Sequence, residues 1–99
     1  MATEAIVAMT TREKILLENV LDALDRLFDR QSSVVDIQSL LLATSEALSS
    51  TCHEPLLRTA ERELQTIIRS TTSEEERRDR ALLVTNDLRI DLAQKLPID

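Results

Sequence analysis

Apolar residues recur along this chain with the period of a helix. Over Arg12 to Arg30, wound at about 100° per residue, Leu16, Leu17, Val20, Leu21, Ala23, Leu24, Leu27 and Phe28 share one broad arc. Such a face asks for neighbouring helices. Thr10 stands three residues before Glu13, a capping-box spacing that satisfies the free amides of a first turn, so the first helix is predicted to start there and reach about Arg30. Residues 1 to 9 read as a flexible arm. Gln31, Ser32 and Ser33 break the pattern, and Ser33 with Asp36 three residues on suits a second helix from Val34 to about Ser49. Its inner face is Val34, Ile37, Leu40, Leu41, Ala47 and Leu48; Val35 and Leu42 point elsewhere, as if the helix were covered on more than one side.

The third segment begins with a competition. Thr51 and Glu54 have capping-box spacing, but Pro55 suits the first helical position and disfavours helix at the residue before it. Pro55 is therefore the predicted first residue of a helix that runs to about Ser70. Leu56, Leu57, Ala60, Leu64, Ile67 and Ile68 form its inner stripe, with Arg58, Arg62 and Arg69 along part of its outer side. Ser73 with Glu76 is the clearest capping box in the chain, and Glu74 and Glu75 add negative charge that suits a helix N-terminus. The fourth helix is predicted to reach Lys95 and stop before Pro97, with Ala81, Leu82, Leu88, Leu92 and Leu96 inward. Leu83 and Ile90 fall off that face, near Asp87 and Asp91. Connections of about three to five residues make sequential helices antiparallel. The pattern predicts an all-α fold, an antiparallel up-down four-helix bundle forming one domain over residues 10 to 97.

Composition sharpens this. The 99 residues hold no Gly, and Phe28 is the only aromatic, which suits neither hairpin turns nor a β-core. Acidic residues outnumber basic ones 18 to 12, for a net charge of −6. That opposes nucleic-acid binding, which depends on neutralising phosphates, and steers the protein toward basic partners instead. One cysteine, Cys52, allows no internal disulfide. The apolar run from Ala5 to Met9 is short for a signal sequence and lacks a basic flank, and no stretch nears the roughly 20 apolar residues of a membrane span. A cytoplasmic protein without a membrane segment is expected.

Catalytic chemistry finds little support. Cys52, His53 and Glu54 are adjacent, but a nucleophile and its base must converge, and neighbours at a helix start diverge. A structural zinc site wants four ligands, commonly in pairs, from a chain with one Cys and one His. Neither a glycine-rich phosphate loop nor a Glu-x-x-His pair of the di-iron type occurs. The chain is read as no enzyme, with no cofactor and no metal.

Two features remain. Glu18, Asp22, Asp25 and Asp29 follow spacings of four, three and four opposite the apolar arc of the first helix, so like charges stack one turn apart at a cost of a few tenths of a kcal/mol each. Such a row is either a solvated face or a docking surface for a basic protein, where complementary charge sets association rate and partner choice. Arg26 and Arg30 lie to one side of it, and Asp36 can extend the acidic region. The second feature is Leu83 and Ile90, seven residues apart with Asp87 and Asp91 beside them. They are covered by the N-terminal arm or a second packing neighbour, or they form an interface with apolar anchors and a charged rim. Arg77, Arg78 and Arg80 are read as structural partners of Glu74 to Glu76 and of the first helix's acids.

A small, acidic, glycine-poor four-helix chain resembles the all-helical immunity proteins with which bacteria neutralise their own nuclease toxins, including those of contact-dependent growth inhibition. The segments that carry the likeness are ILLENVLDALDRLFDRQSSVVDIQSLL, Ile15 to Leu42, and IIRSTTSEEERRDRALLVTNDLRIDL, Ile67 to Leu92. The resemblance implies a stoichiometric inhibitor that occludes the active or target-binding face of a cognate, basic toxin domain, through carboxylates of the first helix or the Leu83/Ile90 strip. The alternative is a structural or adaptor module that homodimerises through its fourth helix.

Overall fold

A computed structural model describes residues 10–96 of the chain. Among the described residues there are four α-helices and no strand: α1 (Thr11–Phe28), α2 (Val34–Ala47), α3 (Glu54–Ser70) and α4 (Glu74–Lys95). The expected N-terminal arm, residues 1–9, lies outside the described residues, as does Pro97, and with the arm any cover it gives to Leu83 and Ile90. Each helix packs on the next, α1 closes against α4, and α2 touches α4 across the centre, whereas α1 and α3 stay apart. The result is a four-helix bundle.

The caps follow the sequence closely at three of four N-termini. The reciprocal capping box is built at Thr10 and Glu13: the Glu13 amide donates to the Thr10 hydroxyl at 3.1 Å and the Thr10 amide to the Glu13 carboxylate at 3.3 Å. Ser33 and Ser73 accept the amides of Asp36 and Glu76 at 3.1 and 3.0 Å. The third start corrects the expectation. α3 begins at Glu54, one residue before Pro55, and its N-cap His53 makes no side-chain cap bond. The Thr51 hydroxyl accepts the His53 amide at 3.2 Å, and the Glu54 carboxylate reaches back to the Ser50 amide at 3.1 Å. Both halves of a box are present, one residue out of register, and that outweighs the bias against helix before proline.

The first two helices end earlier than predicted, while α3 and α4 end at Ser70 and Lys95 as expected. α1 stops at Phe28 rather than Arg30, and α2 at Ala47 rather than Ser49. After α1, Gln31 N–H donates to the Arg26 carbonyl at 2.7 Å and Arg30 N–H to that of Leu27 at 3.2 Å, a Schellman closure. That closure needs a left-handed residue, and in a chain without glycine Arg30 supplies it with φ 64°; Ser50 is also left-handed, φ 72°, in the turn after α2 that the Thr51 N–H closes onto the Leu48 carbonyl. A left-handed side-chain-bearing residue costs about 1–2 kcal/mol, so each turn is held by what packs around it.

The core is a continuous aliphatic cluster: Leu17, Val20, Leu24 and Leu27 from α1, Val34, Ile37 and Leu41 from α2, Leu57, Leu64 and Ile67 from α3, and Ala81, Leu88 and Leu92 from α4, with Leu48 and Leu96 at helix ends. Leu40, Ala47, Leu56, Ile68 and Leu82, expected inside, are half-buried. Phe28 is the larger departure: at the last residue of α1 it is 58% exposed, and the Arg89 guanidinium, 5.7 Å from the ring centre, lies over its ring. Polar residues take inner positions the hydrophobic pattern leaves unassigned. Thr85 returns its hydroxyl to the Ala81 carbonyl at 2.7 Å, and buried Ser45 bonds the Leu42 carbonyl at 2.9 Å. Val35 and Leu42 are exposed, so among the described residues α2 is not covered on a second side.

Two stability predictions follow from this packing. Leu64→Ala, at a fully buried site, is expected to lower unfolding free energy by about 2–5 kcal/mol in urea titration, while Leu83→Ala stays within about 0.5 kcal/mol of the parent. Ser50→Gly removes a left-handed side chain and is expected to raise the urea midpoint, by up to about 1 kcal/mol equivalent, an effect that Ser50→Ala lacks.

Candidate functional site: the α1–α4 face

The acidic row of α1 is partly spent inside the molecule. Glu18, Asp22 and Asp29 are exposed, but Asp25 is half-buried and accepts a hydrogen bond from Arg89 Nε of α4 at 2.8 Å. Asp22 has only a loose neighbour, Arg26 at 3.4 Å, one turn along the same helix. Exposed pairs of this kind contribute little, about 0–1 kcal/mol. Glu18, Asp22 and Asp25 line one side of an open groove of about 600 Å³, with Leu21, Ala93 and Leu96 also in its wall. The groove is thus acidic on the α1 side and apolar toward α4.

Asp36 sits apart from that groove. It lines a notch at the other end of α1 together with Arg30, Ser33, Glu74, Glu75 and Arg78. Here Arg30 departs from its expected place beside the row and reaches Glu75 with two parallel bonds of 3.0 and 2.9 Å. Those bonds hold the Glu75 carboxyl below its usual pKa. Arg78, expected on the acids of α1, instead donates to the Leu27 and Phe28 carbonyls at 3.2 and 2.7 Å. Both carbonyls belong to the last turn of α1, where a cation complements the negative end of the helix dipole; the Leu27 carbonyl also accepts the Arg30 N–H. Arg77 does pair with Glu74, at 2.7 Å. On α4, Leu83, Asp87 and Ile90 are exposed, whereas Asp91 is half-buried and paired with Lys95 at 2.9 Å. The nine candidate residues therefore do not form one site: Glu18, Asp22 and Asp25 line the α1 groove, Asp29 caps the end of α1, Asp36 lines the notch, and Leu83, Asp87, Ile90 and Asp91 lie on α4.

Two polar clusters escaped the sequence reading. Glu61 of α3 is 4% exposed, and its Oε2 accepts Gln38 Nε2 of α2 at 2.7 Å and also Gln65 Nε2. A carboxylate on an apolar stripe flanked by two amides is a structural tie between α2 and α3. The only available sequence signal was Glu61 within the stripe, and it reads equally as an edge position. The second cluster gathers Cys52, His53 and Glu13. His53 is buried, with Nε2 3.8 Å from Glu13 Oε1, and Cys52 Sγ lies 3.9 Å from both ring nitrogens. A sulfur equidistant from both nitrogens lies on the bisector between them and is aligned with neither in-plane lone pair that a base would use. Glu54 turns the other way, onto Arg58 at 2.6 Å. Among the described residues no group of three or more His, Cys, Asp and Glu could hold a metal ion, and no helix is long and apolar enough to cross a membrane.

The α1–α4 face is thus a carboxylate-lined groove with Leu21, Ala93 and Leu96 in its wall, and Arg89 ties one of its carboxylates, Asp25. Comparison with protein-family profiles, curated protein sequences and solved structures gave no match in any of the three.

The ion pairs also set a pH response. Hydrogen bonds from Arg58 and from the Ser50 amide depress the pKa of Glu54, as those from Arg30 depress that of Glu75. A carboxylate with a depressed folded pKa stabilises the fold fully above its unfolded value near 4.5, and that contribution is lost as pH falls through the folded pKa. The urea midpoint is therefore expected to drop below that pH, and Arg58→Gln with Arg30→Gln to flatten the drop.

Proposed function

We propose that this chain is a stoichiometric protein-binding inhibitor, an immunity protein that occludes a cognate basic toxin domain of the nuclease type. The reading includes an up-and-down antiparallel path for the four helices. Supporting that path, Arg12 near the start of α1 donates to the Ala47 carbonyl at the end of α2 at 3.1 Å, and the end of α1 meets the start of α4 through Arg78 and Arg30. The inhibitor has no chemistry of its own and acts in the cytoplasm, where its toxin would otherwise reach its target.

The observation that carries this reading is the exposed remainder of the acidic row. Once Asp25 is tied to Arg89, Glu18 and Asp22 on α1 and Asp29 at its C-cap still face solvent. Like charges held one turn apart do not help α1 form, so their benefit is sought in what they meet. Positive residues of a nuclease's substrate-binding cleft are the complementary surface, and docking there excludes the nucleic acid. Electrostatic complementarity of this sort accelerates association and selects the partner more than it deepens affinity.

Affinity capture with the full chain from its native cell, followed by mass spectrometry, is expected to recover a basic protein whose toxicity the chain relieves on co-expression. With that partner, Glu18→Lys combined with Asp22→Lys is expected to slow association by about tenfold or more at low salt while leaving helix content unchanged. Recovery of no such toxin, or an association rate and salt dependence indifferent to the two charge reversals, defeats the reading.

A further inference from the structure

Among the described residues, the side of α4 turned away from the core carries the most exposed of the large hydrophobics, Leu83 at 78%, with Ile90 at 47% two turns on. Glu76, Asp79, Leu83, Asp87 and Ile90 follow spacings of three, four, four and three, so they form a single row on the helix surface. Leu83 also borders two grooves between α3 and α4. One, about 350 Å³, is lined by Leu56, Ala60, Val84 and Leu88, with Glu63 on the α3 lip and Asp87 on the α4 lip. The other, about 210 Å³, continues along the same seam over Ile67 and Val84, with Arg80 also in its wall, so the negative charge of the seam is concentrated at the first groove. Among the described residues neither Glu63 nor Asp87 makes an ion pair, in contrast to Asp25, Asp91, Glu54, Glu74 and Glu75.

We propose that the α3–α4 seam is a docking groove for a cationic amphipathic helix of a partner protein. Its aliphatic side chains straddle Leu83 and enter the two grooves, and a lysine or arginine lies between Glu63 and Asp87. Anchors at one- and two-turn spacing along a helix are the pattern of helix-in-groove recognition. Charge decides against a second copy of this chain as occupant. An antiparallel self-contact that set Leu83 against Ile90 would place its two-fold axis beside Asn86 and Asp87, bringing the two Asp87 carboxylates together in a drying interface, which is costly without a cation. A basic helix turns the same carboxylates into attraction. The proposal rests on the protein-binding reading above, but on a different face from the α1 groove.

The test uses the full chain, ¹⁵N-labelled, titrated with a synthetic helical peptide of about five turns bearing leucines on one face and lysines on the other. Amide shifts are expected at Thr59, Glu63, Leu83, Asp87 and Ile90. Leu83→Gln with Ile90→Gln is expected to weaken binding by about tenfold or more, as is Glu63→Gln with Asp87→Asn, each with unchanged thermal midpoint. A peptide with glutamate for lysine is expected not to bind. Shifts confined to Glu18, Asp22 and Asp29, or affinity untouched by both double variants, overturn the groove while leaving the acidic face of α1 as the docking surface. A doubled mass in sedimentation that Leu83→Gln abolishes also overturns it, in favour of self-association. Failure to capture a toxin bears on the inhibitor reading and leaves this peptide mapping intact.

Discussion

The bundle depends on closing α1 against α4, helices separated by the whole middle of the chain. Until they meet, α1 has one neighbour and half of its aliphatic face is wet. The closure is pinned at the junction of the α1 C-terminus with the α4 N-terminus, where Arg78 holds the Leu27 and Phe28 carbonyls and Arg30 clasps Glu75. Further along, Arg89 ties Asp25 and covers Phe28. These contacts do not supply most of the stability. A fully buried leucine is worth about 1.5–3 kcal/mol, and a typical hydrogen bond only about 1 kcal/mol net. What the arginines add is register. Aliphatic stripes made of Leu, Ile, Val and Ala slide past one another with little penalty, and directional bonds to fixed carbonyls do not.

That division of labour explains the distribution of charge. The net charge of −6 does not translate into a uniformly acidic surface, because six of the basic residues are engaged in specific contacts of the fold. Arg12, Arg30, Arg58, Arg77, Arg78 and Arg89 each satisfy a carbonyl or a carboxylate of the fold. The carboxylates left over lie mainly on the outer sides of α1 and α4. An acidic surface produced in this way sits on helices whose N-termini are capped by Thr10 and Ser73. A surface carried on formed helices favours recognition of another macromolecule, because little conformational freedom is lost on contact.

The absence of glycine shapes the connections. Two turns that commonly recruit glycine are made by Arg30 and Ser50 in left-handed conformation. At Arg30 the strain is offset by use: the same residue whose backbone turns the chain extends its guanidinium to Glu75. The turn geometry and the α1–α4 closure therefore reinforce each other, and α1 ends two residues before the point to which its sequence pattern extends.

The sequence by itself determined the number of helices, their order, three of the four N-caps and the aliphatic stripes, because these are set within a few residues by capping chemistry and a 3.6-residue period. It also marked Leu83 and Ile90 as outward, since their angle on α4 follows from counting. The tertiary structure alone decided which charges remain available. That Asp25 belongs to Arg89, that Arg78 prefers carbonyls to carboxylates, that Glu61 is buried between two amides and that Phe28 lies on the surface are outcomes of contacts between residues 23 to 64 positions apart, or of where a helix happens to end. A local pattern specifies which way a side chain leaves its own helix, and only the packing of the other three helices specifies what it meets.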